Sequence, residues 1–319
     1  MTMNPAIGET AADAPRGRPL RRFLSSDIAR SFRRSPAAVV AGAVALAFVL
    51  VAILAPWIAG QNPYDPASYD IMASNLPPSW MEGGSADYFL GTDDQGRSLL
   101  ALILYGMRIS MFVGIASIAL AMAFGTVFGL VSGFAGGWID AVLMRIADIQ
   151  MSFPPILIAL LIDGVARAAL PAGQRETLGL AVLIFAIAVS KWVLFARTAR
   201  SSVMVEKRKE YVDAARLMFR HPAIIMFRHI LPNTVGPLMV LATVNFAMAI
   251  LTEATLSFLG AGVPPTTPSL GTLIKIGNDY LFSGVWWITI FPGLTLIVLV
   301  FAFNVLGDWL RDALNPRLQ

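Results

Sequence analysis

A handful of polar side chains sit inside otherwise apolar stretches, and any chemistry of this chain within a membrane would fall to them. Arg145, Asp148, Gln150 and Ser152 lie in "MRIADIQMS", just before the double proline Pro154–Pro155. Arg145 and Asp148 are three residues apart, which places them on one helical face. Ionised groups in a bilayer are costly and face a cavity or a partner. The segment therefore reads either as the lining of a solute path or as an internal Arg–Asp pair that orients its helix. Asn245 and Glu253, in a later apolar stretch, are weaker candidates for the same path. A proton relay would need a titratable group at such a depth, and Asp148 is the candidate. Other chemistries lack residues to carry them. The chain has no cysteine, its two histidines, His221 and His229, fall outside the apolar stretches, and neither H-E-x-x-H nor G-x-x-x-x-G-K-[ST] occurs. No catalytic residue, no metal site and no cofactor bound by this chain is expected.

The elements that position these groups are apolar spans. Of 319 residues only 14% are charged, against roughly 25% in soluble domains. Six stretches approach the roughly 20 apolar residues needed to cross a bilayer. They are Pro36–Ile58, Ile109–Phe134, Ala141–Ile162, Leu178–Phe195, Thr234–Leu251 and Val285–Leu306. Such lengths exclude a β-barrel, whose strands run about ten residues and alternate. An all-α polytopic membrane protein follows. Arginine is concentrated before the first span and between the fourth and fifth. The segment Ala59–Tyr105 carries one, Arg97, among several acids. The positive-inside rule then puts both termini in the cytoplasm and that segment outside. The first span is too long and too far from Met1 to be a cleaved signal peptide.

Read along the chain, residues 1–35 are a disordered cytoplasmic tail with a short pre-span segment. Residues 36–58 are the first span, 59–108 an external loop, 109–307 a core of five spans, and 308–319 a cytoplasmic tail. In the loop, Thr92 or Asp93 would cap a short helix whose Leu99, Leu100, Leu102, Ile103 and Leu104 rest in the membrane interface. Gly125, Gly129 and Gly133, four apart, would let another helix approach closely. "FAGGWID" reads as a tight turn, and Asp140 suits the start of the third span. Pro154–Pro155 would kink that span. Trp286–Trp287 suits an interface.

Between the fourth and fifth spans runs "EYVDAARLMFRHPAIIMFRHILPN", Glu210 to Asn233. On a helix from Glu210 to Arg220, Tyr211, Ala214, Ala215 and Met218 form one apolar stripe. Pro222 opens a second short helix, and Pro232 opens the fifth span in the same way. A rigid, amphipathic, basic element tied to spans at both ends would either rest among headgroups or dock in a groove of a partner.

This segment resembles the coupling loop of ABC-importer permeases, E-Y-x-x-A-A-R followed by R-H-x-L-P-N. Glu210, Tyr211, Ala214, Ala215, Arg216, Arg228, His229, Leu231, Pro232 and Asn233 match it in order. "LGTDDQGRSLLALILYGMRIS", "EATLSFLGAGVPPTTPSLGTL" and "FNVLGDWLRDALNPR" resemble the dipeptide/oligopeptide/nickel subfamily, the last its C-type subunit. Two positions depart from the pattern. Phe219 stands where the family has Gly, so the turn moves to "RHP" or Phe219 is a docking knob. Asn315 replaces an Asp. The resemblance implies a type I importer permease of six spans in the bacterial inner membrane. The coupling loop, residues 200–233, would act as a cytoplasmic coupling helix. The partners implied are a second homologous permease subunit, two cytoplasmic ATPases that use ATP and Mg, a periplasmic solute-binding protein and lipid, with no nucleic acid. Peptides or a related small solute would be carried. An ion-coupled secondary transporter is the other reading.

Overall fold

The computed structural model describes residues 27–264 and 266–313. The expected tail Met1–Arg18 and Asn315 lie outside them. Among the described residues the helices are α1 (Asp27–Arg34), α2 (Pro36–Ile58), α3 (Leu99–Ala135), α4 (Gly137–Met151), α5 (Pro155–Ala169), α6 (Ala172–Glu206), α7 (Glu210–Leu217), α8 (Pro222–Phe258), α9 (Leu270–Tyr280) and α10 (Trp287–Ala313).

The first span has the bounds its sequence suggests. Ser35 caps it through Oγ, which accepts from Ala38 N at 3.3 Å, and Pro36 takes the first turn. Its small residues Ala38, Ala41, Ala45, Ala52 and Ala55 are buried, while Leu46, Leu50, Ile53 and Trp57 face outward. Lipid is as apolar as leucine, so small residues turn inward where backbones approach.

The glycine seam of α3 packs on α6. A Cβ on Gly125 would lie 2.7 Å from Phe195 Cβ, on Gly129 2.6 Å from Ala199 Cβ, and on Gly133 3.0 Å from Val203 Cβ. Contacts advance by four on both helices, so α3 and α6 run parallel. Two parallel helices in one chain require a return crossing between them. That crossing is made by α4 and α5, which are bent by 89° at Ser152–Pro154. Pro155 takes the first position of α5. Pro154 before it is held extended, with ψ 130°, as a residue preceding proline must be. The expected kink is therefore a complete break. The helix α8 runs antiparallel to α3, as Ser110 meets Glu253 and Gly114 meets Ile250. In turn α10 runs antiparallel to α8, with Phe303 on Phe246 and Gly307 against Val244. Counting the broken pair as one, the described residues hold six segments long and apolar enough to span a membrane.

Several boundaries move outward. The second span begins at Leu99 and continues to Ala135 without a separate interfacial helix. Leu99, Leu102, Ile103 and Leu104 lie in the core rather than at an interface. Asp93 caps a turn and not a helix. Its carboxylate accepts from Gln95 N at 3.0 Å and Arg97 N at 2.8 Å and pairs with the buried Arg97 guanidinium at 2.6 Å. Gly96, at φ 78°, abuts Asp70 O where a Cβ would collide. Trp287 is buried and donates from Nε1 to Thr92 O at 3.1 Å, so it pins the 59–98 loop instead of floating in headgroups. The fourth span extends through Arg197 and Arg200 to Glu206. The fifth does not start at Pro232. It is continuous from Pro222, with a π-helical stretch at Ile225–Ile230 just before that proline. Pro232 has no N–H and its ring needs room in the preceding turn, which a widened turn supplies. The last span likewise runs unbroken to Ala313.

The seam makes a contrast testable. Gly129→Leu should overpack α3 against α6, costing at least about 1–3 kcal/mol. Gly164→Ala and Gly236→Ala, where a Cβ meets nothing within 4 Å, should be neutral or mildly stabilising. Thermal unfolding of the chain in detergent measures the difference. Equal midpoints for the three would refute the packing role of the seam.

Candidate coupling surface

The helix α7 is short and its ends suit its dipole, with Glu210 and Asp213 in the first turn and Arg216 in the last. It ends at Leu217 rather than Arg220. Phe219 N donates to Arg216 O at 2.9 Å and Arg220 N to Ala215 O at 3.2 Å. This is the paired closure of a helix end that normally places Gly at the left-handed position. Here Phe219 occupies that position at φ 53°. The turn therefore stays where the family has its glycine and does not move to "RHP". His221 instead caps the next helix, Nδ1 accepting from Ala223 N at 3.3 Å.

The expected single stripe splits in two. Val212 and Ala215 face inward and pack on Leu130, Val203, Ile225 and Ile230. Ala215 is thus part of the chain's own core, not of an outward docking face. Ala214, Leu217, Met218 and Phe219 point outward, Phe219 with 96% of its surface exposed. Tyr211 does a third job. Its hydroxyl donates to Glu206 Oε2 at 2.7 Å and accepts from Asn233 Nδ2 at 3.2 Å, while Asn233 Nδ2 also donates to His229 O at 2.9 Å. Burial, then the bond to Glu206, holds the Tyr211 phenol above its ordinary pKa, so it stays a donor. Tyr211, His229 and Asn233 thereby staple α7 to the ends of α6 and α8. Glu210, Arg228 and Pro232 are exposed, and Arg216 reaches Asp213 at 3.2 Å and stacks 6.0 Å over the Phe134 ring.

The polar groups of the spans are arranged differently from their sequence spacing. Asp148 pairs with Arg197 of α6 at 2.6 Å, and among the described residues Arg145 makes no ion pair. Both members of the observed pair are about half exposed. The sequence neighbour loses because a guanidinium on the adjacent helix can meet Asp148 head-on. Asp140 binds Arg200 through two bonds of 2.5 and 2.6 Å and accepts from Ser132 as well. Gln150 accepts from Trp192 Nε1 at 2.6 Å and donates to Val189 O. Together these zip α4 to α6. Ser152 donates to Asp148 O at 3.1 Å within its own helix. Asn245 donates to Leu241 O at 2.9 Å and is buried. Glu253 is fully buried, accepting from Ser110 at 2.8 Å and Ser257 at 2.7 Å. Ser110 Oγ also accepts from Leu270 N at 3.3 Å, so the network joins α3, α8 and α9. None of the six expected path residues lines the cavity walled by α5 and α9. That cavity, with a charged lining, is instead walled by Asp163, Arg167, Lys275 and Asp279, none of which was expected to line a path. Opposite charges four apart, Asp163–Arg167 and Lys275–Asp279, were the available signal.

Residues 125–319 match the family described as binding-protein-dependent transport system inner membrane component. The chain belongs to that family. Residues 24–78 match the N-terminal transmembrane domain of oligopeptide transport permease C. The permease is 40% identical over 288 residues to a dipeptide transport system permease protein of Haemophilus influenzae, covering 90% of this chain and 93% of that one. It is 36% identical to a glutathione transport system permease protein of Pectobacterium atrosepticum, covering 91% and 90%. It is also 36% identical to an oligopeptide transport system permease protein of Bacillus subtilis, covering 93% and 90%. The family resemblance carried by Glu210–Asn233 is thus met along nearly the whole permease, and its fold is the all-helical, multi-pass one expected of an inner-membrane component.

The ion-pair geometry predicts a rescue. Asp148→Ala leaves Arg197 uncompensated and should lower the yield of folded permease. Adding Arg197→Ala should restore most of the loss, and adding Arg145→Ala should not. Yield after size-exclusion chromatography reads this, and rescue by Arg145→Ala alone would refute the observed pairing.

Proposed function

We propose that this chain is the non-catalytic C-type permease subunit of an ATP-driven importer of peptides, with Glu210–Asn233 as the surface that receives its ATPases. The printed names of the relatives, dipeptide, glutathione and oligopeptide permeases, support the solute class. The observation that carries the mechanical reading is the build of the coupling segment. Its inner face is fused to the core, its ends are stapled by Tyr211 and Asn233, and it presents an exposed phenyl from a strained turn. Across the Phe219 turn it leads into α8, 37 residues and about 55 Å long at 1.5 Å per residue. A push on α7 is therefore delivered to the far side of the membrane.

In this reading both termini and α7 are cytoplasmic, as the arginine distribution supports. Two ATPases bind ATP and Mg. A second homologous permease completes the path, and a periplasmic binding protein delivers the solute. The chain itself holds no cofactor. The half-exposed pairing of Asp148 with Arg197 argues against a proton carrier there, which disfavours ion-coupled transport.

Two measurements test this. Proteoliposomes holding both permeases and the ATPases, given binding protein and internal ATP, should accumulate dialanine, and collapsing the proton gradient and membrane potential should not stop them. Uptake that an uncoupler halts at constant ATP would overturn the reading. Phe219→Gly should relieve a backbone strain of about 1 kcal/mol and raise the stability of the isolated chain, yet weaken co-purification of the ATPases. Unchanged capture would show that the phenyl is no docking knob.

A further inference from the structure

The cavity of 490 Å³ noted above is walled by α5, the start of α6, the 259–269 segment and α9. By the alternation of the spans it opens on the side of the membrane opposite α7. Its size falls in the range of small-ligand pockets, about 300–1,000 Å³. Two helices present opposite charges to it. From α5, the buried Asp163 holds Arg167 at 2.6 Å, and Arg167 also donates to Gly262 O at 3.3 Å. This guanidinium is still about half exposed, with donors left over. From α9, Lys275 and Asp279 lie one turn apart, and among the described residues neither is in an ion pair. The Lys275 ammonium sits over Gly260, within 2.8 Å of where a Cβ would be. Gly260 is at φ 87°, and its bare α-carbon makes the recess that receives the ammonium. Ser257 and Thr272 add hydroxyls to the wall.

A cavity with two cations and two anions selects neither a simple anion nor a simple cation. It suits a ligand with one charge of each sign held apart. We infer that this cavity binds the free α-ammonium and α-carboxylate of a short zwitterionic peptide, with Asp279 taking the ammonium and Lys275, backed by Arg167, the carboxylate. This rests on the peptide-importer reading for its solute class but on the cavity alone for its chemistry. The concave shape favours a small solute over the flat face of a delivering protein. Its wall includes Ser257, on the last turn of α8, whose other end is the coupling segment. Occupancy is thus registered on the same helix that would receive the ATPases' push.

The absence of native cysteine allows a direct test. Ala166→Cys, or Ile276→Cys should the first fail to assemble, places a thiol on the cavity wall of the complete transporter in lipid nanodiscs. Labelling of this chain by a neutral maleimide should be slowed several-fold by dialanine. N-acetyl-dialanine amide, of similar size but uncharged, should not slow it. Lys275→Gln and Asp279→Asn should each raise the half-protecting dialanine concentration roughly tenfold, the loss expected of one charge-assisted hydrogen bond. Protection by both compounds alike, by neither, or unaltered by the two variants overturns the inference. So does protection by solute-free binding protein in place of dialanine, which would make the cavity a docking face. Dialanine uptake measured alongside separates the two claims. Uptake without protection sinks this site and leaves the importer standing; protection without uptake does the reverse.

Discussion

The parallel contact of α3 and α6 across Gly125, Gly129 and Gly133 is the constraint from which the rest follows. Without hydrophobic exclusion to drive helices together, association in lipid depends on close packing. The glycines let Phe195, Ala199 and Val203 come to the backbone of α3 itself. Because the two helices are parallel, the chain between them must return, and it does so through the broken α4–α5 crossing. A broken helix exposes backbone and gives up continuous packing. The polar zipper of Asp140–Arg200, Asp148–Arg197 and Gln150–Trp192 compensates by holding α4 to the seam's other partner. The ionisable residues of the third span are thus there because of the topology the glycines impose.

That chain of causes explains what sequence reasoning could and could not reach. The bounds of α2 are local facts, a Ser–Pro start and a polar stop after Ile58, and are met at both ends. The glycine seam is also local, a spacing of four within one helix. The partner of Asp148 is not. Arg145 is three residues away and Arg197 forty-nine, and only the fold can prefer the distant one. The fourth span reads as too short because hydropathy stops at Arg197 and Arg200, whose carboxylates lie on another helix. The coupling segment was legible through its motif, but the division of labour within it was not. Tyr211, in the expected stripe, and Asn233, at the end of the motif, act as internal staples. Ala215 looks exposed and is buried because α7 lies flat on the ends of α3 and α6.

Phe219 is where the local rules are broken most openly. A left-handed conformation for a bulky residue is unfavourable, and among the described residues no burial of the ring offsets that cost, because it is almost wholly exposed. The neighbouring hydrogen bonds nevertheless close in regular fashion, so the turn geometry is demanded by the surroundings and the side chain is tolerated within it. An observed outlier of this kind points to a role outside the chain's own stability.

Stiffness is distributed unevenly, and the distribution is physical. Glu253 has hydroxyl partners on α3 and α8, and through Ser110 the network extends to α9, all away from water. Removing any member would strand a buried polar group, so this corner resists rearrangement. The glycine seam resists it through packing. The compliant points are elsewhere. At the α4–α5 break Phe153 N reaches only Gln150 O, and Pro154 and Pro155 have no N–H to give, so no backbone bond spans it. The Asp148–Arg197 pair is half exposed and cheaper to open than a buried pair. The π-helical turn at Ile225–Ile230 already departs from regular bonding beside Pro232. A force applied at α7 meets that π turn first, then the rigid far half of α8, and reaches Ser257 at the wall of the charged cavity. The third span, bent by 89° at Pro154–Pro155, is the wall opposite, since Asp163 and Arg167 ride on α5. One wall of the cavity is therefore fixed to the rigid core and the other to the bent span, the arrangement by which a change in cavity shape requires no breakage of the core.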